Sequence, residues 1–221
     1  MNLHFSLVLH YWQPLLRGLG LTIAFTGSCA IVGSLAGFAV SLMRTSRHNW
    51  LSYPSTAFVE FFRGTPLLIQ LLWVFFCFPI VLGFAIPPYL SVLLSLIMYM
   101  AAITSETFRG SLKSISQDQH DACTALNLTP KVKIFYVIFP QALLRATPPL
   151  LSNVVSLFKE SALISSVGVA DLMSVGETIS NATAKPVEFL TAVALIYFAI
   201  AFPLTRLVGI VERKFLTRFS I

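Results

Sequence analysis

Five apolar runs, each near 20 residues or more, alternate with shorter polar, basic or Gly/Pro-rich breaks. They lie at about 19–42, 56–82, 89–108, 134–157 and 187–210. A helix needs about 20 apolar residues to cross the hydrocarbon core, so each run predicts one transmembrane helix. The first is rich in small residues, and Gly33 and Gly37 form a GxxxG that lets a neighbouring helix approach closely. The second carries Glu60, Arg63, Gly64 and Pro66 before a stretch, 67–78, whose one polar residue is Gln70. Gly64–Pro66 reads either as a break exposing backbone near a substrate or as a packing kink repaired by neighbours. The fourth run is irregular, with Pro140, Gln141, Arg145, Pro148, Pro149 and Asn153. Residues 1–13 put no Lys or Arg before the first apolar stretch, so they read as an amphipathic lead-in, not a signal peptide.

Composition agrees with this pattern. Apolar residues make up 56% and charged residues 11% of the 221, where soluble domains carry about 25% charge. Mean hydropathy is +0.81. Both a soluble globule and a disordered chain are excluded. The fold class is all-α: a polytopic membrane protein of five transmembrane helices, one domain over 1–221, with a polar loop at about 109–133 between the third and fourth. The net charge of +6 belongs to the loops and does not point to nucleic acid. Arg44, Arg47, Arg109, Lys113, Lys131, Lys133, Arg213, Lys214 and Arg218 fall on one side, against mainly Arg17 and Lys185 on the other. The positive-inside rule then places the N-terminus outside and the C-terminus in the cytoplasm.

Enzyme chemistry has little to stand on. Cys29, Cys77 and Cys123 cannot all pair, the four histidines are scattered, and no HExxH occurs. No GxxxxGK[ST] occurs either, so the chain is not expected to hydrolyse ATP.

The 109–133 loop is too polar to span a membrane and too organised for a plain connection. Asp118 or Asp121 can cap a short helix. Ala122, Cys123, Ala125 and Leu126 give that helix a small apolar face. Asn127 tolerates the left-handed conformation that ends a helix, and Thr129 with Pro130 can start another. Two short helices meeting near Asn127–Thr129 form a knob able to sit in a groove on another protein.

At these residues the sequence resembles the membrane (permease) subunit of bacterial ABC importers of the polar amino acid type. The family's E-A-A-x-A-L-G loop and following L-P-Q-A are similar to Asp121-Ala122-Cys123-Thr124-Ala125-Leu126-Asn127 and Phe139-Pro140-Gln141-Ala142. Its R-G-x-I-x-S-I-P-x-G-Q resembles residues 109–119, and Phe62-Arg63-Gly64-Thr65-Pro66-Leu67-Leu68 and Lys159-Glu160-Ser161-Ala162-Leu163 match further stretches. Asp121, Cys123 and Asn127 stand where the family usually has Glu, Ala and Gly. The resemblance implies a non-catalytic bacterial inner-membrane subunit paired with a second permease copy or a similar chain. Cytoplasmic ATPases would bind ATP and Mg, with no cofactor on this chain, and an external amino-acid-binding protein would deliver substrate. It also implies that Asp121, Ala122, Cys123, Leu126 and Asn127 receive the ATPase.

Ionisable groups at membrane depth are costly and usually pair or line a wet path. Glu60 and Arg63 can pair as i,i+3 neighbours, as can Glu106 and Arg109. A zwitterionic amino acid presents both signs of charge. Glu60, Arg63, Asn153, Lys159 and Glu160 are therefore the candidate substrate pathway. Glu60 and Glu160 favour a cationic substrate, whereas Arg63 and Lys159 favour an anionic or neutral one. The competing readings are a stand-alone channel or secondary carrier, which would show a repeat or a polar stripe, and an intramembrane enzyme, which needs a convergent nucleophile or metal set.

Overall fold

The computed structural model describes residues 5–218. Residues 1–4, the start of the lead-in and of the 1–221 domain, and residues 219–221 at its end lie outside the described residues. A short α1 (Ser6–His10) leads into α2 (Trp12–Arg44). Then come α3 (Asn49–Gly64), α4 (Leu67–Leu72), a π turn (Trp73–Cys77) and α5 (Phe78–Leu82). Next are α6 (Pro88–Lys113), α7 (Gln117–Ala125) and α8 (Pro130–Val132), then a second π turn (Lys133–Ile138) and α9 (Phe139–Glu160). A 3-10 stretch (Ser161–Val167), α10 (Leu172–Thr183) and α11 (Pro186–Arg218) complete the chain.

Four helical stretches are long and apolar enough to cross a membrane: Trp12–Arg44, Pro88–Lys113, Pro130–Val167 and Pro186–Lys214. The second expected span is not continuous. It divides at Gly64–Pro66, where the chain turns by 111°. Residues 56–64 belong to α3, and the apolar helix resumes at Leu67. Trp50 and Tyr53 on α3 are each 72% exposed, as suits aromatics at a membrane–water interface. The break is repaired by one side chain. Gln70 Nε2 donates to Phe62 O at 2.8 Å, Thr65 O at 2.9 Å and Thr65 Oγ1 at 2.8 Å. Carbonyls freed at the end of α3 thus find a donor without water, as membrane depth requires.

Both π turns have the same cause. Pro79 and Pro140 lack an N–H for the carbonyl four residues earlier, and their rings crowd it. Those carbonyls belong to Phe75 and Tyr136, and each lies inside a widened turn.

The main core joins α2, α4, α6, α9 and the 3-10 stretch through Cys29, Leu71, Leu96, Met100, Leu157 and Ile164, all 0–1% exposed. The GxxxG lies at its closest approach. A Cβ on Gly37 would stand 2.0 Å from Thr104 Oγ1, and one on Gly33 would stand 2.6 Å from Met100 Cβ. A second core seats α10 on α2 and α11 through Leu15, Leu172, Phe189 and Val193. Asp171, fully buried, caps α10 by accepting from Ser174 N at 2.9 Å. Leu172 N donates to Thr22 Oγ1 at 3.0 Å, clasping the α10 start against α2.

Candidate functional site

The polar loop is shorter than expected, because α6 continues to Lys113 and the fourth span's helix begins at Pro130. Between them stands α7. Its N-cap is Ser116, so neither Asp118 nor Asp121 caps it. Both lie inside the helix, Asp118 in its first turn, and no side-chain capping bond is made at its start. Asp121 instead accepts from Gln117 Nε2 at 2.9 Å, one turn back. The helix ends as its sequence implies. Asn127 takes φ 50°, Asn127 N donates to Thr124 O at 2.9 Å, and Leu128 N donates to Cys123 O at 3.0 Å. This is the double closure of a Schellman motif, with Asn where Gly is commonest. Thr129 holds the N-cap position before Pro130 but makes no side-chain capping bond. The second short helix is therefore the first turn of the fourth span.

The five expected coupling residues divide by exposure. Asp121, Ala122, Leu126 and Asn127 are exposed, Leu126 by 72%. Cys123 is 3% exposed and anchors α7 to the body, so it adds nothing to the outer face. The inner side of α7 is tied by polar bonds. Gln141 Nε2 donates to Gln119 Oε1 at 3.2 Å, and Lys133 Nζ donates to His120 O at 3.2 Å. Beneath lie Ile115, Ile138 and Ala142, packed with Leu112 and Val137.

Near the α7 end of the bundle, a charge cluster joins α2, α3 and α6. Arg44 Nη1 lies 2.7 Å from Glu106 Oε2, and Arg44 Nη2 lies 3.7 Å from Glu60 Oε1. Arg63 Nη1 lies 3.6 Å from the same Glu106 oxygen, and Arg109 pairs with its other oxygen. The expected Glu106–Arg109 pair forms. Glu60 and Arg63 do not pair with each other; the Arg44 and Glu106 partners on neighbouring helices take them instead. The five charges sum to +1 (three Arg, two Glu).

The other pathway candidates lie on α9. Asn153 Nδ2 donates to Thr107 Oγ1 at 2.9 Å. Glu160 Oε1 accepts from Tyr99 OH at 2.9 Å. Its Oε2 is buried and accepts no bond from the described residues. Lys159 is exposed. Asn153 and Glu160, seven apart, share the α6-facing side of α9, while Glu60 and Arg63 belong to the separate charge cluster.

Sequence reasoning missed Arg44 as a partner of Glu106 and Glu60, Tyr99 and Thr107 as partners, Asp171 as a buried cap and Gln70 as the break's donor. Gln70 alone left a legible signal: one amide in an apolar run just after Gly-Thr-Pro. Burial raises the Asp171 carboxyl from 3.8 to about 6, although the backbone N–H groups of Ser174 and Met173 pull it down.

A broken-span helical bundle with a short capped helix standing proud of one end defines a multi-pass membrane transport subunit. Residues 30–217 match the family described as binding-protein-dependent transport system inner membrane component. The chain belongs to that family, and it is a non-catalytic permease subunit of an ABC transporter located in the inner membrane. It is 31% identical to the arginine transport system permease protein ArtQ of Bacillus subtilis, over 97% of this chain and 98% of that protein. It is 30% identical to the glutamate/aspartate import permease protein GltK of Escherichia coli, over 90% and 92%. Among solved structures, an amino acid ABC transporter with histidines superposes at a TM-score of 0.92, with 28% identity over 97% of this chain and 100% of that one. The MetNI methionine ABC transporter shares the fold, with a TM-score of 0.70 at 22% identity.

Proposed function

We propose that this chain forms the translocation pathway of an ATP-driven importer of polar amino acids. It acts as one transmembrane domain, paired with a second copy or a similar chain. The observation that carries the reading is α7: a closed nine-residue helix presenting Asp121, Ala122, Leu126 and Asn127 outward while Cys123 and Gln119 hold it to the bundle. A partner ATPase, which binds ATP and Mg, docks on that face. The α7 end is cytoplasmic, with the N-terminus outside. The basic residues of the α7-end loops support that orientation. An external binding protein delivers the amino acid.

Glu160 is the strongest pathway residue, because one buried carboxylate oxygen is left for a ligand. Lys159 lies beside it, Asn153 orients the same helix face, and Glu60 and Arg63 belong to the cluster nearer α7. Relatives named for arginine and for glutamate/aspartate support a charged or polar amino acid.

The test is ATP hydrolysis in reconstituted vesicles, with the chain co-expressed with its ATPase and binding protein. A panel of amino acids is added outside. Stimulation by one amino acid class is the expected result. If no ATPase co-purifies and the chain alone carries solute down a gradient, the stand-alone carrier replaces this reading.

A further inference from the structure

Polar side chains join α6 and α9 at three levels. Arg145 Nη1 donates to Ser114 O at the end of α6. Asn153 donates to Thr107 at 2.9 Å, and Tyr99 donates to Glu160 at 2.9 Å. Along α6 the rungs fall at 99, 107 and 114; along α9 they fall at 160, 153 and 145. Every step is seven or eight residues, two helical turns, so the rungs form one straight ladder between antiparallel helices. The ladder reaches α7 as well. Gln141, one turn before Arg145, donates to Gln119.

The spaces between rungs are apolar. Leu96, Met100 and Leu157 pack beside the Tyr99–Glu160 rung, and Ile115, Ile138 and Ala142 pack beside the Ser114–Arg145 rung. The Tyr99–Glu160 and Thr107–Asn153 rungs are part-buried, so either one, once broken, finds few substitute partners, while the Arg145–Ser114 rung closes the exposed end of the ladder. Sliding one helix past the other by a turn would break all three rungs together.

We infer that α6 and α9 move as one rigid strut carrying displacement of α7 to the Glu160 carboxylate, with Thr107 and Asn153 as positioning residues that fix its register. The inference rests on the reading that a partner ATPase acts on α7. It gives Asn153 a role different from direct substrate contact.

The experiment uses the full reconstituted complex. Thr107→Cys and Asn153→Cys are combined after Cys29→Ala, Cys77→Ser and Cys123→Ala, and the pair is bridged with a short, reducible bis-thiol reagent. A rigid strut predicts that the bridged complex keeps at least half the transport of its reduced form. A loss of tenfold or more that reduction restores means the helices slide, and it overturns the inference. A second variant needs no cross-link: Thr107→Val, which removes the acceptor of the Asn153 rung and leaves Asn153 itself in place. It is expected to keep ATP hydrolysis within about twofold while amino acid moved per ATP falls about tenfold. An unchanged ratio also overturns the inference, and this variant decides the matter if the reduced cysteine pair is inactive. Absence of ATP-driven transport in the unaltered complex would instead sink the importer reading.

Discussion

Arg44 at the end of α2 and Glu106 on α6 meet at 2.7 Å, with only 7% and 22% of their side chains exposed. Glu106 also holds Arg63 and Arg109, so one carboxylate gathers three guanidinium groups from three helices. The charge of α3 is drawn in with them, which sets where α3 lies before the chain turns by 111° into α4.

Removing one member of a largely buried pair leaves the other uncompensated. Arg44→Met is expected to destabilise the folded chain by about 3 kcal/mol. Glu106→Gln should cost a similar amount. The double variant should cost less than the sum by more than about 1 kcal/mol, because neither residue is then left facing a lost partner. Denaturation in detergent micelles measures all three. A change below about 0.5 kcal/mol for Arg44→Met would make this an ordinary surface bridge.

The two glycine classes of α2 make a sharper contrast. Gly37→Ala places a methyl group 2.0 Å from Thr104 Oγ1 and 2.7 Å from the Ala101 carbonyl. Backbone cannot step aside cheaply, so a loss of about 2 kcal/mol is expected. Gly27→Ala meets nothing within 4 Å and gains helix propensity, up to about 1 kcal/mol. Equal effects at the two positions, read in the same micelle assay, would contradict the tight α2–α6 seam.

How much of this was legible follows from which rules are local. Spans show because lipid demands long apolar runs. Asn127 shows because few residues accept positive φ. The caps of α7 were misplaced because a carboxylate at 118 or 121 scores well by type, while the true boundary at Ser116 depends on where α6 stops. Glu60–Arg63 spacing permits a pair, but Arg44 and Glu106 arrive from other helices, and only the assembled bundle reveals them. The ladder was illegible for the same reason: Tyr99, Thr107 and Ser114 are ordinary residues until α9 lies alongside. Gln70 was visible as an oddity, yet its task required knowing that the chain bends at Gly64–Pro66.

Asp171 gives a pH dependence of defined sign. Its carboxyl titrates near 3.8 when unfolded and near 6 in the fold, raised mainly by burial, with Glu177 adding to the effect and Tyr197 opposing it. The fold therefore binds the proton more tightly, so this group favours the folded state below about pH 4. That advantage is lost as pH rises through 6. The roughly two-unit interval corresponds to about 3 kcal/mol at most. Asp171→Asn keeps an N-cap acceptor while removing the charge. Melting temperatures between pH 4 and 7 should fall for the parent and stay flatter for the variant. Parallel profiles would place the titration elsewhere.

The outer face of α7 yields the last prediction. Leu126 is 72% exposed beside Asp121 and Asn127, and an apolar side chain held out by a closed helix end gains from being covered. Burying it on a partner is worth about 1.5–3 kcal/mol, or roughly 10- to 100-fold in affinity. Leu126→Asp and Asp121→Arg should each lower ATPase co-purification by about that factor, with membrane insertion and melting temperature unchanged. Cys123→Ala should do the reverse: it removes a buried anchor, so stability falls by about 1 kcal/mol while the docking face keeps its chemistry. Asn127→Gly should be neutral or better, since glycine adopts φ 50° without a Cβ penalty. Asn127→Val should strain the helix end by about 1–2 kcal/mol and weaken docking through displaced geometry. If Asp121→Arg and Leu126→Asp leave the ATPase bound and transport normal, the docking surface lies elsewhere on the α7 end. The Gln119–Gln141 tie would then serve only to hold the loop.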